Sequence, residues 1–403
     1  MSVNQAVILA AGEGTRMHPL TYTRPKVMLP IANKPILEHL LMEMKLAGVC
    51  RFIFVVGYHE EIVREYFADG KSWNVEVKYA SQRNLSGTAD ALRTAEGLIE
   101  EDFLMVNGDA IIGFQDITRL GQQAGNALSL IELEDVSGLG VVEVKENRIT
   151  RIHEKSATPP SKLANAGLYR FTPEIFAAIN DTPKSSRGEY EITDSIQILI
   201  NRGIPITYQT LSRWFDLSYP WDLLTANEEL LSTLEPDCQG EIEPNAVIKG
   251  VASIGQGTTI RSGSYIQGPV IIGRNCDIGP NCFIRPSTSI GDHCHIGAAV
   301  EVKNSVVLSQ SKIPHLSYVG DSIIGEGCNL GAGTKIANLK LDKSNVRVNG
   351  KDTGRRKLGA ILGDNVETGI NSSINVGTLI GNRARIGPGA LAHGIIAPGS
   401  RIF

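Results

Sequence analysis

Residues 272–296 read IGRNCDIGPNCFIRPSTSIGDHCHI, with an isoleucine at every sixth position. Aliphatic residues keep this spacing over twelve consecutive positions, Ile242, Ile248, Ile254, Ile260, Ile266, Ile272, Ile278, Ile284, Ile290, Ile296, Val302 and Leu308. A period of six fits neither the turn of an α-helix nor a heptad. It fits a chain that turns a corner every six residues and points a branched side chain inward. The spacing therefore predicts a left-handed parallel β-helix of hexapeptide repeats.

Small residues occupy the fourth position after most of these aliphatic residues, among them Cys276, Cys282 and Cys294. Cys328 falls in the same slot of a later repeat. Because free cysteine behaves as a small buried hydrophobe, we expect all four to fill corners of the core. A zinc site on the two histidines that flank Cys294 is disfavoured, since the sequence has no CxxC and no matching second pair.

Two interruptions break the repeat. The first lies near Pro314, after which the pattern resumes at Ile324. The second is a polar, basic stretch from Lys340 to Lys357, after which the pattern resumes at Leu362. Interruptions within a regular solenoid are usually loops thrown out from the stack, and such loops often carry function.

The length of 403 residues is too great for one ordinary core. We predict an N-terminal domain over residues 1–230, a linker over 231–241 and the β-helix domain over 242–403. The formal net charge of -4 predicts no nucleic-acid partner and no attraction to an anionic membrane. No apolar run approaches the length of a spanning helix, so the expected location is the cytoplasm.

The N-terminal half alternates predicted strands and helices. Ala6–Leu9 forms a buried apolar run, Pro35–Ala47 has helical periodicity and Phe52–Val56 is the next strand, which makes a βαβ unit. A further apolar run, Phe103–Val106, is followed closely by Asp109. Since open α/β sheets bind ligands beyond the carboxyl ends of their strands, Asp109 is expected to point toward a site. The fold class is therefore α/β, with a Rossmann-like mixed sheet preceding the β-helix.

A glycine-rich segment follows the first strand: residues 9–20 read LAAGEGTRMHPL, and Arg24-Pro25-Lys26 comes next. A dinucleotide fold requires a third glycine where Met17 stands, and a P-loop requires Gly-Lys followed by Ser or Thr. The whole ordered motif resembles the sugar-1-phosphate nucleotidylyltransferase family, and the resemblance covers roughly the first 230 residues. It implies an enzyme that wraps this loop around a nucleoside triphosphate.

The resemblance also implies roles for individual residues. Arg16 and Lys26 would be catalytic and neutralise phosphate oxygens. Asp109 and Asp216 would be the metal ligands that hold Mg²⁺. Substrate binding would fall to the glycine-rich loop, the base-recognition segment and the sugar-phosphate contacts, namely Gly12, Gly14, Thr15, Gln82, Gly87, Thr88, Gly140, Glu154, Lys155 and Asn165. The element Glu191-Ile192-Thr193-Asp194 recurs in the family without a role assigned here.

The chemistry explains these residue types. An oxygen of the sugar phosphate attacks the α-phosphorus in line while pyrophosphate leaves, so two polyanions must come together. A bound Mg²⁺, a guanidinium and ammonium groups reduce the repulsion and hold the geometry, and no covalent enzyme nucleophile is required.

The interrupted region of the repeat domain shows a second resemblance, carried by residues 314–321, PHLSYVGD, and 328–334, CNLGAGT. They resemble the acetyltransferase half of the bifunctional glucosamine-1-phosphate acetyltransferase and N-acetylglucosamine-1-phosphate uridylyltransferase family. His315 would then be the catalytic base that takes the proton from an amino sugar, with acetyl-CoA as the acyl donor. The remaining substrate contacts implied by the resemblance are Arg285, Lys303, Tyr318, Asn329 and Asn338.

The leading prediction is a bifunctional enzyme of nucleotide-sugar synthesis, a homotrimer whose acetyl-transfer sites lie between neighbouring β-helices. One alternative is a monofunctional glucose-1-phosphate thymidylyl- or uridylyltransferase in which the β-helix only trimerises the chain. Another is a nucleotide-sugar-binding regulatory protein without turnover, disfavoured because the metal carboxylates and phosphate-facing cations occur together. The preferred base and sugar stay open, since pocket contacts of about a few kcal/mol select among them.

Overall fold

The computed structural model describes residues 3–154 and 158–403. Its contacts divide the chain into two compact units. The first, here called the sheet unit, takes in the described residues of 1–13, 24–28 and 36–216. The second, here called the β-helix unit, comprises residues 14–23, 29–35 and 217–403. Part of the glycine-rich segment therefore groups with the β-helix rather than with the sheet.

Within its described residues, the sheet unit forms one nine-stranded mixed sheet and one two-stranded ribbon. The strands are β1 (Gln5–Ala10), β2 (Arg51–Val56), β3 (Glu76–Ser81), β4 (Phe103–Asn107), β5 (Ala110–Ile112), β6 (Asn126–Glu132), β7 (Gly140–Lys145), β8 (Arg148–Glu154), β9 (Leu163–Phe171), β10 (Ile206–Thr210) and β11 (Trp214–Asp216). The large sheet has the order β3-β2-β1-β4-β9-β6-β10-β8-β7, and β5 pairs with β11. Strands β1 to β4 run parallel, whereas β9 is antiparallel to β4.

Helices pack on both sides of this sheet, which explains why its central strands are nearly continuous apolar runs. The α-helices of the chain are α1 (Ile36–Leu46), α2 (Glu60–Phe67), α3 (Thr88–Arg93), α4 (Phe114–Gly121), α5 (Ile175–Asn180), α6 (Ile192–Asn201) and α7 (Asp222–Ser232), the last of which belongs to the β-helix unit. Short 3-10 turns span Thr15–Met17, Lys26–Met28, Lys71–Trp73 and Glu96–Leu98. The predicted βαβ unit is confirmed, with its helix one residue shorter at each end than expected.

The β-helix unit is built from three parallel sheets of short strands. The first face contains Asp237–Cys238, Ala252–Ile254, Val270–Ile272, Thr288–Ile290, Val306–Val307, Ile323–Ile324, Ala360–Leu362, Thr378–Ile380 and Ile395–Ile396. The second face contains Glu241–Ile242, Thr259–Ile260, Asp277–Ile278, His295–Ala298, Lys312–His315, Asn329–Leu330, Glu367–Thr368, Arg385–Ile386 and Arg401–Ile402. The third face contains Val247–Lys249, Tyr265–Gln267, Phe283–Ile284, Glu301–Lys303, Tyr318–Gly320, Lys335–Ile336, Ser373–Ile374 and Leu391–Ala392.

The hexapeptide period determines how these coils stack. In the regular region each residue pairs with the one eighteen positions later, as Ile248 does with Ile266, so three hexapeptides make one coil. The aliphatic column is fully buried from Ile260 to Val302, and the four repeat-domain cysteines are buried free thiols, as predicted. The fold is the predicted α/β sheet followed by parallel coils consistent with a left-handed β-helix.

At two positions the structure differs from the predicted column of buried aliphatic residues. Ile242, in the first coil, is 37% exposed because it has a stacked coil on one side only. Leu308 does not continue the core column, because Val307 takes that place and pairs with Ile290 and Ile324. The cause is a coil one residue shorter, in which Glu301 pairs with Tyr318.

The basic stretch is an insertion between two coils. Ile323 pairs with Ile361, so the ladder resumes in phase after the excursion. Within the excursion, Arg347–Val348 and Lys351–Asp352 form a small antiparallel hairpin. A second small hairpin in this unit joins Pro30–Ile31 to Lys34–Pro35. No helix among the described residues is long and apolar enough to cross a membrane.

Candidate active sites

The carboxyl end of β4 carries the most tightly arranged pair of predicted site residues. Gly108 follows the strand, and a Cβ there would lie 2.8 Å from the carbonyl oxygen of Leu9, so only glycine allows this close turn. Asp109 comes next and accepts a hydrogen bond from Nζ of Lys26 at 2.5 Å. The Lys26 side chain is 10% exposed and that of Asp109 is 36% exposed. The ammonium is thus largely buried, while the carboxylate is partly exposed to solvent.

Asp216 is brought beside this pair by the ribbon of β5 and β11. Its Cα pairs with Ala110, the residue after Asp109. The ribbon is held at its other end by Trp214, whose indole N–H donates to the carbonyl of Ala166 at 2.9 Å. The structure describes the backbone of Asp216 and not its side chain. The backbone register alone places Asp216 opposite Ala110, the residue that follows Asp109 in the turn between β4 and β5.

The predicted donors are carboxylates, a ligand type that magnesium prefers. Mg²⁺ is a hard cation that is usually held by one or two carboxylates, with substrate phosphates and water completing the coordination. No group of three or more His, Cys, Asp or Glu suited to a metal occurs among the described residues. Asp109 and Asp216 are the residues that would hold the ion.

The glycine-rich loop divides between the units. Gly12 follows β1 in the sheet unit, whereas Gly14, Thr15 and Arg16 belong to the β-helix unit. Gly14 has φ 68° and begins the turn Thr15–Met17. The guanidinium of Arg16 lies 5.6 Å from the ring centroid of Tyr219. Arg16 therefore contacts the ring of Tyr219, a contact that the sequence did not predict.

The predicted base-recognition residues form one connected cluster. Nε2 of Gln82 donates to the carbonyl of Gly87 at 3.1 Å and to Asp90 at 3.0 Å. Gly87 has φ 109°, and a Cβ there would lie 2.4 Å from the carbonyl oxygen of Tyr190. Oγ1 of Thr88 accepts the backbone N–H of Ile192 at 2.9 Å. The loop before α3 is thereby fixed against the segment before α6.

The predicted sugar-phosphate residues also meet. Gly140 and Glu154 are directly opposite on β7 and β8. A Cβ on Gly140 would lie 2.9 Å from Oε2 of Glu154 and 3.7 Å from Cβ of Asn165. Nδ2 of Asn165 donates to the hydroxyl of Tyr169 at 2.7 Å, and burial raises the pKa of that tyrosine. Lys155 lies outside the described residues.

Polar side chains outside the predicted set also surround Glu154. Oγ1 of Thr193 donates to Glu154 at 3.3 Å. The guanidinium of Arg187 lies 3.6 Å from Glu154 and also pairs with Glu191. Burial and the nearby carboxylate of Glu191 raise the pKa of Asp194. The sequence contained one clue to these neighbours, the recurring element of residues 191–194. Only the fold shows that this element lies beside Glu154.

On the third face of the β-helix, the predicted acyl-acceptor residues are joined by hydrogen bonds. Nζ of Lys303 donates to Oδ2 of Asp321 at 2.9 Å. Nδ2 of Asn338 donates to Asp321 and, at 3.1 Å, to the hydroxyl of Tyr318. Burial, with the charge of Asp321, raises the pKa of Tyr318. Arg285 pairs instead with Glu301 at 2.8 Å on the same face.

His315 and Asn329 belong to neighbouring strands of the second face. His315 ends its strand, is exposed, and is followed by the corner that leads to Tyr318 on the third face. Its backbone carbonyl accepts from Oγ of Ser317 at 2.8 Å, which fixes the corner. One chain thus presents the two groups of predicted acetyl-transfer residues on two adjoining faces.

A family model described as nucleotidyl transferase matches residues 5–233. The chain belongs to the nucleotidyl transferase family. A second model, described as the GMPPB C-terminal domain, matches residues 266–384 of this nucleotidyl transferase, within the β-helix.

Curated relatives match this nucleotidyl transferase over almost its whole length. The protein named bifunctional protein GlmU of Methanocaldococcus jannaschii is 40% identical over 96% of this chain and 94% of its own. The GlmU of Methanococcus maripaludis strain C7 is 44% identical over 99% and 97%. A protein of Sulfurisphaera tokodaii named bifunctional sugar-1-phosphate nucleotidylyltransferase/acetyltransferase is 38% identical over 96% and 97%.

Solved structures resemble the N-terminal part of this nucleotidyl transferase. A UDP-glucose pyrophosphorylase complexed with UDP-glucose aligns with a TM-score of 0.53 and 25% identity, covering 58% of this chain and 100% of that one. A glucose-1-phosphate thymidylyltransferase described as putative, from Bacillus anthracis, aligns with a TM-score of 0.52 and 27% identity, over 58% and 97%. Both agree with the predicted Rossmann-like nucleotidyltransferase fold.

Proposed function

We propose that this chain is a bifunctional enzyme of nucleotide-sugar synthesis. Its sheet unit would transfer a nucleotidyl group from UTP or dTTP to a sugar 1-phosphate, N-acetylglucosamine 1-phosphate or glucose 1-phosphate, and release pyrophosphate. Its β-helix would move an acetyl group from acetyl-CoA to glucosamine 1-phosphate. The observation that carries the first activity is the Lys26–Asp109 pair at the end of β4, beside the strand of Asp216.

The residues of the sheet unit suit nucleotidyl transfer. Lys26 supplies a fixed ammonium near the position where two polyanions must meet. The cluster of Gln82 and Gly87 offers an edge for the base, while Glu154 and Asn165 lie together where a sugar would be held. When bound, Mg²⁺ would supply charge neutralisation for the phosphates. The attacking sugar-phosphate oxygen forms its bond to the α-phosphorus while the bond to pyrophosphate breaks.

The residues of the β-helix suit acetyl transfer. The amino nitrogen of the acceptor attacks the thioester carbonyl carbon, the carbon–sulfur bond breaks, and coenzyme A leaves as the thiol. His315 is exposed and can take the proton that the nitrogen loses. Arg285 and Lys303, on the third face, provide cations for the sugar phosphate.

We infer a homotrimer from the same arrangement. Three-sided β-helices can associate so that the second face of one chain meets the third face of its neighbour, which would join His315 to Lys303 and Tyr318 of another chain. Oligomers of this kind close with cyclic symmetry. Gel filtration with light scattering is expected to give three chains per particle, and a fully acetyl-transferring monomer would contradict the arrangement.

One observation favours the monofunctional alternative. The side chains of Lys303 and Asn338 both donate hydrogen bonds to the buried Asp321. These donors therefore already have partners within the β-helix and need not bind a substrate. A β-helix that is only structural would release no thiol from acetyl-CoA.

The two functions are separated by paired assays. Pyrophosphate release is measured with each nucleoside triphosphate and sugar 1-phosphate, and thiol release with acetyl-CoA and glucosamine 1-phosphate. His315→Ala is expected to lose thiol release and keep pyrophosphate release. The matched control is His293→Ala, another exposed histidine at a β-helix corner, which should keep both. Absence of thiol release from the parent chain would leave the monofunctional alternative.

A further inference from the structure

A cavity of about 550 Å³ lies within the β-helix unit and is separate from the residues assigned above to acetyl transfer. Its walls come from the turn after Gly14, the segment after Leu217, the inserted hairpin and the first face of the β-helix. His315 lies on the second face and Tyr318 on the third. The volume falls in the range of small-molecule sites.

Two cations meet at Tyr219 in this cavity. Nζ of Lys351, at the hairpin, donates to the tyrosine hydroxyl at 2.8 Å and lies 4.1 Å from the ring centroid. The guanidinium of Arg16 lies 5.6 Å from the same centroid. The hydrogen bond from Lys351 lowers the pKa of Tyr219. No carboxylate occurs among the described residues of the cavity wall, so nothing acidic there balances the two charges.

Most of the remaining wall is apolar and aromatic, although Thr15, His18 and Asn349 also line it. The rings of Tyr219 and Trp221 are stacked, with centroids 4.9 Å apart and planes 1° from parallel. Leu379 and Ile395 of the first face line the opposite part. An apolar wall in which Ile395 is exposed, beside cations with no carboxylate in the described part of that wall, favours a ligand that is planar and apolar at one end and anionic at the other.

We propose that this cavity is a second binding site that takes a nucleoside phosphate, with the phosphate on Lys351 and Arg16 and the base against the aromatic and aliphatic wall. Such a ligand would hold Arg16 away from nucleotidyl transfer and so lower its rate. This effect on the rate rests on the proposed nucleotidyl transfer and on the catalytic role that the family resemblance implies for Arg16, whereas the binding does not.

Binding is tested on the full chain by fluorescence titration with anilinonaphthalene sulfonate, an aromatic anion, and by its displacement with AMP. Lys351→Gln is expected to weaken both about tenfold, the size of one lost charged contact. Lys351→Arg keeps the charge and should bind like the parent. The matched control Lys343→Gln removes a charge from the same inserted segment and should change nothing. Leu379→Trp, which fills the cavity and leaves both cations, should abolish binding.

Two results would overturn the proposal. One is equal binding of the probe by the parent chain and by Lys351→Gln and Leu379→Trp. The other is displacement of the probe by UTP with the same constant in the parent and in Lys351→Gln, which would place the probe in the nucleotidyl-transfer site.

The activity assay separates this site from the proposed function. AMP is expected to slow pyrophosphate release by the parent chain and to have about tenfold less effect on Lys351→Gln. One outcome is a parent chain that releases no pyrophosphate with any substrate pair while its binding of the probe and AMP still depends on Lys351. In that case nucleotidyl transfer would be refuted and the binding site in the cavity would be supported. If AMP slowed both proteins equally, the cavity would have no part in the inhibition.

Discussion

Each unit of this protein contains a lysine–aspartate pair with a largely buried lysine, and these two pairs differ in how far the carboxylate is exposed. In the sheet unit, Lys26 is 10% exposed and Asp109 is 36% exposed. In the β-helix, Lys303 is 18% exposed and Asp321 only 3%. Asp321 also accepts from Asn304 at 2.8 Å and from Asn338. The more exposed carboxylate, Asp109, pairs with Lys26 at the end of β4, whereas the buried one, Asp321, lies in a coil of the β-helix.

The difference shows that an ion pair alone does not reveal its role. A buried charge must be bonded on all sides to offset the loss of water. Asp321 accepts hydrogen bonds from side chains of its own unit and therefore stabilises the stacked coils of the β-helix. Asp109 can still accept a ligand, since a third of its side chain remains exposed. Variants of the two aspartates should accordingly fail in different assays.

The largest expected effect is on activity. Asp109→Asn should slow pyrophosphate release about 1,000-fold, because it removes a predicted Mg²⁺ ligand and the charge that positions Lys26. Acetyl transfer should be unchanged. Asp102→Asn is a matched control, since Asp102 pairs with Arg170 at 2.7 Å just before the other end of the same strand. If Asp109→Asn and Asp102→Asn slowed pyrophosphate release equally, the Lys26–Asp109 pair would have no special role in nucleotidyl transfer.

The next effect is on stability. Asp321→Ala should reduce the free energy of unfolding of the β-helix by about 3 kcal/mol, because Lys303 is left without its buried partner. The shift in urea midpoint, followed by circular dichroism, measures this. Asp342→Ala changes an aspartate that is 63% exposed and should have little effect. The double variant Lys303→Met with Asp321→Ala should recover part of the loss, and a double variant no more stable than the single one would break the comparison.

A third carboxylate, Asp116, tests whether a buried and fully hydrogen-bonded aspartate also stabilises the sheet unit. Asp116 is buried, which would raise its pKa, but two hydrogen bonds from Ser212 and the ion pair with Arg119 lower the pKa overall. The stabilisation is therefore present above about pH 4 and is lost as the pH falls through the folded-state pKa. Asp116→Asn should cost about 1.5 kcal/mol at neutral pH and flatten the acid side of the stability profile.

Urea unfolding from neutral pH down to about pH 3 measures this loss. Asp181→Asn, at a surface pair in which the carboxylate is 65% exposed, provides the control. A parent chain whose stability did not change over that range would contradict the shifted pKa.

Much of the fold follows from local periodicity. The six-residue spacing predicted the coils because every inward position repeats the same packing environment. It could not predict that Val307 would replace Leu308, since both are aliphatic and only the length of one coil decides between them. Nor could it predict which turn residues join which unit, because that depends on contacts distant in the chain.

The candidate sites were predictable where a strand end or a motif positions the residue. Asp109 follows an apolar run, and Gly140 and Glu154 share a hairpin register. The surroundings of Arg16 were not predictable. Its contact with Tyr219 and the contact of Tyr219 with Lys351 join segments far apart in the chain, the latter by 132 positions, and no local pattern reports such pairs.

The return of the ladder to register at Ile361 after the inserted segment has an evolutionary consequence. The coils before and after the inserted segment pair directly with each other. The insertion can therefore vary in length and charge while these coils keep their hydrogen bonds. Each doubling of such a loop costs only about 0.6 kcal/mol of chain entropy. New chemistry can therefore be grafted at one gap of the solenoid without redesigning the column that supports it.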